Sequence, residues 1–173
     1  MRVRSLLLLA AGASIAFAQG TPISDYAAKV MLLEKVCRFV EWPPATPTAT
    51  EAPFILAVVG RNPFGDELDA YFLSHKIKGR NVSVKYFRSP ADIEICDLLF
   101  ISSSEQARLT DILKFVAKRP LLTIGDTKGY AAKGVMLNIL RDGDHLGFEI
   151  NISALKKAGL NVAPSFLGLA KVY

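Results

Sequence analysis

Three short apolar runs constrain this chain more than any other feature. Phe54 to Val59, Asp97 to Ile101 and Leu121 to Ile124 are each too short for an ordinary helix. Apart from the leading Asp97 they are also too continuously greasy for a strand with one wet face. Each is closed by a small residue, at Gly60, Ser102 and Gly125. Such runs read as strands buried on both faces, and that burial needs helices above and below. The intervening segments supply them. Phe64 to Leu73 has helical spacing, and Leu109, Ile112, Leu113 and Val116 form an apolar stripe that Pro120 stops. Strand and helix alternating at this interval predict βαβ units, a mostly parallel sheet and right-handed crossovers. With 173 residues, 51% of them hydrophobic, the chain has material for one such domain.

Upstream, Tyr26, Val30, Leu33, Cys37 and Val40 recur at steps of four and three, which predicts an amphipathic helix. Ser24 or Asp25 caps its start, and Pro43-Pro44 ends it by Trp42. Ala45 to Pro53 reads as an exposed connector. Val82 to Phe87 alternates as a strand, after a turn at Lys78-Gly79-Arg80-Asn81. Ser102 and Glu105 have the spacing of a capping box for the helix that follows. Beyond Gly134 the pattern changes. Val135 to Leu140 and His145 to Ile152 flank Arg141-Asp142-Gly143-Asp144, and Asp-Gly between apolar runs predicts a β-hairpin. If Asp142-Gly143 forms the loop, Arg141 faces Asp144, Ile139 faces Leu146 and Leu137 faces Phe148. Met136, Asn138, His145, Gly147, Glu149 and Asn151 then line the opposite, polar face. Ser153 caps a last helix ending near Gly159, and Phe166 to Val172 is apolar without a readable type. The expected fold is a single three-layer α/β domain: a mostly parallel sheet flanked by helices, with a C-terminal antiparallel hairpin.

The first eighteen residues stand apart. Met1 to Ser5 carries two arginines, Leu6 to Ala13 is apolar and short, and Ala16-Phe17-Ala18 is a small-x-small cleavage site. That order is the pattern of a secretory signal peptide, 1–18, leaving a mature domain of 19–173 in the periplasm. No later run is long enough to enter a membrane. The formal charge of +5 includes Arg2 and Arg4; without them 19 basic residues face 16 acidic ones. This scattered excess predicts no nucleic-acid partner.

Catalytic chemistry is not written in the motifs. His75 and His145 are far apart and lack metal-ligand spacing, and no G-x-S-x-G elbow is present. Gly60-Arg61-Asn62-Pro63-Phe64-Gly65 sits where a phosphate loop would, but it lacks the Lys-Ser/Thr ending and is followed by Asp66 and Glu67. Glu149 beside Asn138 is one carboxylate and an amide, not an acid/base pair. No enzyme, metal or cofactor is implied. In a parallel sheet, ligands and partners meet the carboxyl ends of the strands. The loops there are Gly60 to Asp66, Ser102 to Glu105 and Gly125 to Gly129, which makes Asn62, Phe64, Ser103, Ser104, Asp126 and Thr127 the binding candidates. Cys37 near the end of the first helix and Cys96 before a strand would share the amino edge of the sheet. They form either a disulfide or two buried free thiols. A half-apolar hairpin and an apolar C-terminal run also point to a homodimer.

One resemblance extends over most of the chain. Phe39-Val40-Glu41-Trp42-Pro43, Gly60 with Pro63-Phe64-Gly65, Gly79-Arg80, and Leu99-Phe100-Ile101-Ser102 after Cys96 resemble the YfiR family of periplasmic proteins. Thr123 to Asp126, Gly134 with Met136 and Asn138, Phe148-Glu149-Ile150-Asn151 and Ala158-Gly159-Leu160 continue the match in order. The resemblance implies a regulator that represses an inner-membrane diguanylate cyclase through its periplasmic sensor region. It thereby implies a link to cyclic-di-GMP signalling and biofilm formation. Some members of that family use two disulfides; this chain has only two cysteines. The other reading of the residues is a periplasmic small-molecule-binding protein or receptor accessory subunit with no cyclase partner.

Overall fold

A computed structural model of the chain describes residues 24–44, 52–143 and 145–173. Residues 1–23, which include the segment expected to be a signal peptide, most of the connector after Pro44, and Asp144 lie outside them. The elements are α1 (Asp25–Phe39), β1 (Val40–Glu41), β2 (Phe54–Val59), α2 (Glu67–Phe72), β3 (Lys76–Ile77), β4 (Arg80–Phe87) and β5 (Leu98–Ile101). They continue with α3 (Leu109–Val116), β6 (Leu122–Gly125), β7 (Leu137–Asp142), β8 (His145–Ile150), α4 (Ile152–Lys157), β9 (Asn161–Val162), α5 (Pro164–Leu167) and β10 (Ala170–Val172).

Eight strands form one sheet in the order β10-β8-β7-β6-β5-β2-β4-β3. The central strands β4, β2, β5, β6 and β7 are all parallel. The hairpin β7–β8 and the short β3–β4 pair are antiparallel. The three apolar runs are the middle of this sheet, buried on both sides. Alternate residues divide between two cores. Phe54, Leu56, Val58, Leu98, Phe100 and Ile124 pack with α1, α2, α4 and α5. Ala57, Val59, Leu99 and Ile101 pack with α3 and Tyr130 on the opposite face. The expected three-layer arrangement is what the chain adopts.

Several local expectations shift for identifiable reasons. The first helix stops at Phe39, because Val40 and Glu41 leave it to pair antiparallel with Val162 and Asn161. The second helix begins only at Glu67. Asn62 holds the preceding turn, accepting from the Phe64 N–H at 2.9 Å and donating to Gly65 O at 2.9 Å. Ser102 and Glu105 do not make a capping box. Ser102 Oγ accepts from the Ser104 N–H in a 3-10 segment, and the Glu105 carboxylate turns to Arg108. Asn151, not Ser153, caps α4, accepting from the Ala154 N–H at 2.8 Å.

The hairpin register is two residues from the expected one. Asp142 faces His145, Ile139 faces Phe148 and Leu137 faces Ile150, so the loop is 143–144. A two-residue shift leaves the side chains within β7 and β8 on their expected faces. Met136, expected on the polar side, precedes β7 and is buried in the same core as Leu137 and Ile139. The apolar tail becomes α5 followed by β10, which joins the sheet parallel to β8.

Candidate functional site

The strand order places a switch point between β2 and β5. From β2 the chain crosses to β4 on one side, and then returns to β5, β6 and β7 on the other. The loops that follow those two strands lie at this point, with cavities beside them. Gly60 borders one of these, and its φ of +93° is a backbone region that favours glycine. A Cβ at that position would stand 2.5 Å from Ser104 Oγ and 2.7 Å from Glu105 Cγ. Close approach of the two loops therefore requires glycine. Ser104 Oγ accepts from the Arg61 N–H at 2.9 Å and ties the loops together. A cavity of about 550 Å³ opens between Arg61, Asn62, Tyr86, Arg88 and Glu105. A smaller one of about 250 Å³ lies beside it, against Pro63 and Ser102 to Ser104.

Two guanidinium groups at the mouth and a row of serine hydroxyls suit a polar, anionic ligand group. Glu105 is buried, with Arg108 Nη2 within 2.8 Å of its carboxylate. The Tyr86 hydroxyl donates to Asp69, and burial together with that carboxylate pushes the phenol well above its usual range.

The six predicted residues separate into three groups. Asn62, Ser103 and Ser104 meet at the smaller cavity, with both serines exposed. Phe64 does not belong to that surface. It is 2% exposed and packs edge-on against Tyr26 and Phe100, with ring centroids 5.4 and 4.7 Å away. Aromatic burial outweighed its position in a loop. Asp126 and Thr127 lie further along, under the start of α1. Asp126 pairs with Lys29 at 2.9 Å, and both side chains are nearly inaccessible. Lys29 also reaches Asp25 at 2.8 Å. Burial pulls the Lys29 ammonium down, but its hydrogen bonds to Asp25 and Asp126 prevail and hold it above its ordinary value. Thr127 is clamped through its backbone: its N–H donates to Asn138 Oδ1 at 3.2 Å and its carbonyl accepts from Asn138 Nδ2 at 2.9 Å. The same Nδ2 donates to Glu149. This region is a structural network and not an open site.

Arg61, Arg88, Tyr86 and Glu105 were missed by sequence reasoning. Arg88 directly follows β4 and Arg61 stands two residues after the end of β2, so nearness to a strand's carboxyl end was the available signal.

At the opposite, amino end of the sheet, residues distant in sequence converge on Asp97. Arg80 Nη1 and Nη2 reach its two oxygens at 3.1 and 3.2 Å. The Ile55 N–H donates to Asp97 Oδ2 at 2.7 Å, and Trp42 Nε1 donates to its carbonyl at 3.1 Å. Arg80 also donates to the carbonyls of Ala52 and Pro53. Trp42 stands edge-on to Phe54, and with Pro43, Pro44 and Pro120 it borders a cavity of about 480 Å³.

Of the two readings of Cys37 and Cys96, the structure has the second, with no bridge between them. Both thiols are free and buried. They belong to the two separate cores, Cys37 under α1 and Cys96 on the α3 side, so the sheet lies between them.

A mostly parallel sheet with helices on both faces and a switch between two central strands defines the molecule as an α/β domain, and solved structures share that fold. A conserved domain protein from Vibrio cholerae matches with a TM-score of 0.61 at 13% identity. A Streptococcus ABC domain solved in complex with L-Trp matches with a TM-score of 0.56 at 10% identity. Each alignment covers 86% of this chain and 60% of the other, so this chain spans less than two thirds of those proteins. The chain belongs to the YfiR/HmsC-like family, whose profile matches residues 26–171. Trp42, Arg80, Asn138 and Glu149 are among the residues that carry the resemblance; the first two hydrogen-bond to Asp97, and Asn138 bonds to Thr127 and Glu149.

Proposed function

We propose that this protein is a periplasmic regulator that restrains an inner-membrane signalling protein, a diguanylate cyclase or a receptor of similar layout, by binding its periplasmic region. The family match over residues 26–171 carries this reading. Residues 1–18 support it as an export signal, with cleavage after Ala18. Among the described residues no helix is long and apolar enough to cross a membrane. The regulator acts by binding and not by catalysis. Deleting the gene should raise cellular cyclic-di-GMP, and restoring it on a plasmid should return the level. Unchanged cyclic-di-GMP in the deletion strain counts against a cyclase partner. N-terminal sequencing of the exported protein should begin at Gln19.

The pair of cavities beside the loops after β2 and β5 favours a second reading, a small-molecule receptor in the periplasm. The Streptococcus structure of this fold holds an amino acid, and Arg61 and Arg88 offer a carboxylate a place to bind. A thermal-shift screen separates the readings. A ligand at a hundredfold excess over its Kd stabilises the native state by about 2.7 kcal/mol, and Arg61→Ala should remove that gain.

A further inference from the structure

The sheet has two edges. One ends in the two-residue β3 and the other in β10, and among the described residues no strand pairs with the outer side of β10. β10 runs parallel to β8, with Lys171 beside Glu149 and Val172 beside Ile150. The Tyr173 N–H donates inward to Ile150 O at 2.8 Å. Backbone groups alternate along a strand, so Lys171 shares that inward side while Ala170 and Val172 aim their N–H and C=O groups outward. Exposed apolar side chains gather at the same place: Leu169 is 68% exposed, Val172 49% and Tyr173 40%. Edge strands are ordinarily blunted by proline, charge or a covering element. Here the single charge is Lys171, in the middle.

We propose that the outer edge of β10 takes an extended segment of a different protein as an added antiparallel strand. That segment is apolar opposite Ala170 and Val172 and carries a carboxylate opposite Lys171. The inference deepens the partner reading above and rests on it. Main-chain bonds to Ala170 and Val172 supply the attachment, and the side chains supply the selection. Charge decides against a second copy of this chain. A twofold antiparallel pairing that overlaps all three residues of β10 sets Lys171 directly against the partner's Lys171. That is the closely spaced, non-hydrogen-bonded position, with Cα atoms roughly 4.5 Å apart, where like charges repel. A carboxylate there instead continues a row in which Glu149, Lys171 and the incoming acid alternate in sign.

The test uses the full chain labelled with nitrogen-15 and extended peptides of about nine residues, alternating Thr and Val, with Glu or Lys at the centre. The Glu peptide should slow hydrogen exchange at the Ala170 and Val172 amides and bind about tenfold more tightly than the Lys peptide. Lys171→Glu should reverse that preference. Val172→Pro removes an outward N–H and no bond to β8, so it should abolish binding at an unchanged melting temperature. Three results would overturn the proposal: no protection of the two amides, equal response to both peptides, or protection in the free chain that grows with its own concentration. The deletion strain reports separately. Unchanged cyclic-di-GMP alongside protected amides would overturn the cyclase reading alone, and raised cyclic-di-GMP with unprotected amides would overturn the strand addition alone.

Discussion

Asp97 is the residue on which most of the amino end depends. It receives Arg80 in a two-pronged pair and the Ile55 amide of β2, while its carbonyl holds Trp42. Truncation leaves a partly buried guanidinium and a strand N–H without their acceptor. Asp97→Ala should therefore lower unfolding free energy by about 2–3 kcal/mol, read from urea denaturation at neutral pH. Arg80→Lys should fall between wild type and that variant, because an ammonium cannot reproduce the planar fork and the two carbonyl contacts. Equal stability of all three would show that the cluster is solvated and not structural. Gly125 makes a second residue-scale case. A Cβ there would stand 2.5 Å from Tyr130 Cδ2, and Tyr130 is fully buried. Gly125→Ala should cost about 1–3 kcal/mol by overpacking.

At the scale of elements, α1 is fastened by charge as well as by its apolar stripe. Lys29→Met would strand the buried Asp126 carboxylate, and one-sided removal of such a pair costs about 3–5 kcal/mol. The double variant Lys29→Met/Asp126→Leu should recover most of the loss, and a double-mutant cycle measures the coupling. The same helix brings an acid dependence. A hydrogen bond from Tyr71, with Arg38 in support, holds Glu34 below its ordinary 4.5. The Lys29 hydrogen bond, with Arg141, holds Asp25 below 3.8. The unfolded chain therefore binds protons more readily than the folded one. The stabilisation is complete above about pH 4.5 and is lost as pH falls through the lowered values. Urea midpoints from pH 7 to pH 3 should show the decline, and Glu34→Gln should flatten it. The hairpin illustrates what an element's sequence leaves open. Alternation determines which face each residue takes, but the turn alone could slide by two residues without breaking that pattern. Contact with the rest of the sheet chose the register in which Asn138 reaches Thr127 and Glu149.

For the whole molecule, the separation of the two cores governs the cysteines. Burial pushes both thiols up to about 12. Denatured, unreduced protein should show two reactive thiols per chain, and the native protein should react only slowly. No free thiol after denaturation would mean that the exported chain is bridged. The folded state holds these two protons past the ordinary value of 9.0, where the unfolded chain releases them. Stability should accordingly decline as pH rises from about 9 toward 12.

The apolar runs, their spacing and the hairpin alternation were enough to determine an α/β sheet, its central strands and the sides that the residues of β7 and β8 face. These are local properties, set by periodicity and by which segments can be desolvated. Only the tertiary structure decided that Phe64 is core, that Asp126 is spent on Lys29, and that the cysteines are kept apart. It also converted the last apolar run into an edge strand. Each of those outcomes depends on which groups meet across the fold. Burial and pairing are properties of the packed neighbours, and a one-dimensional pattern does not name them.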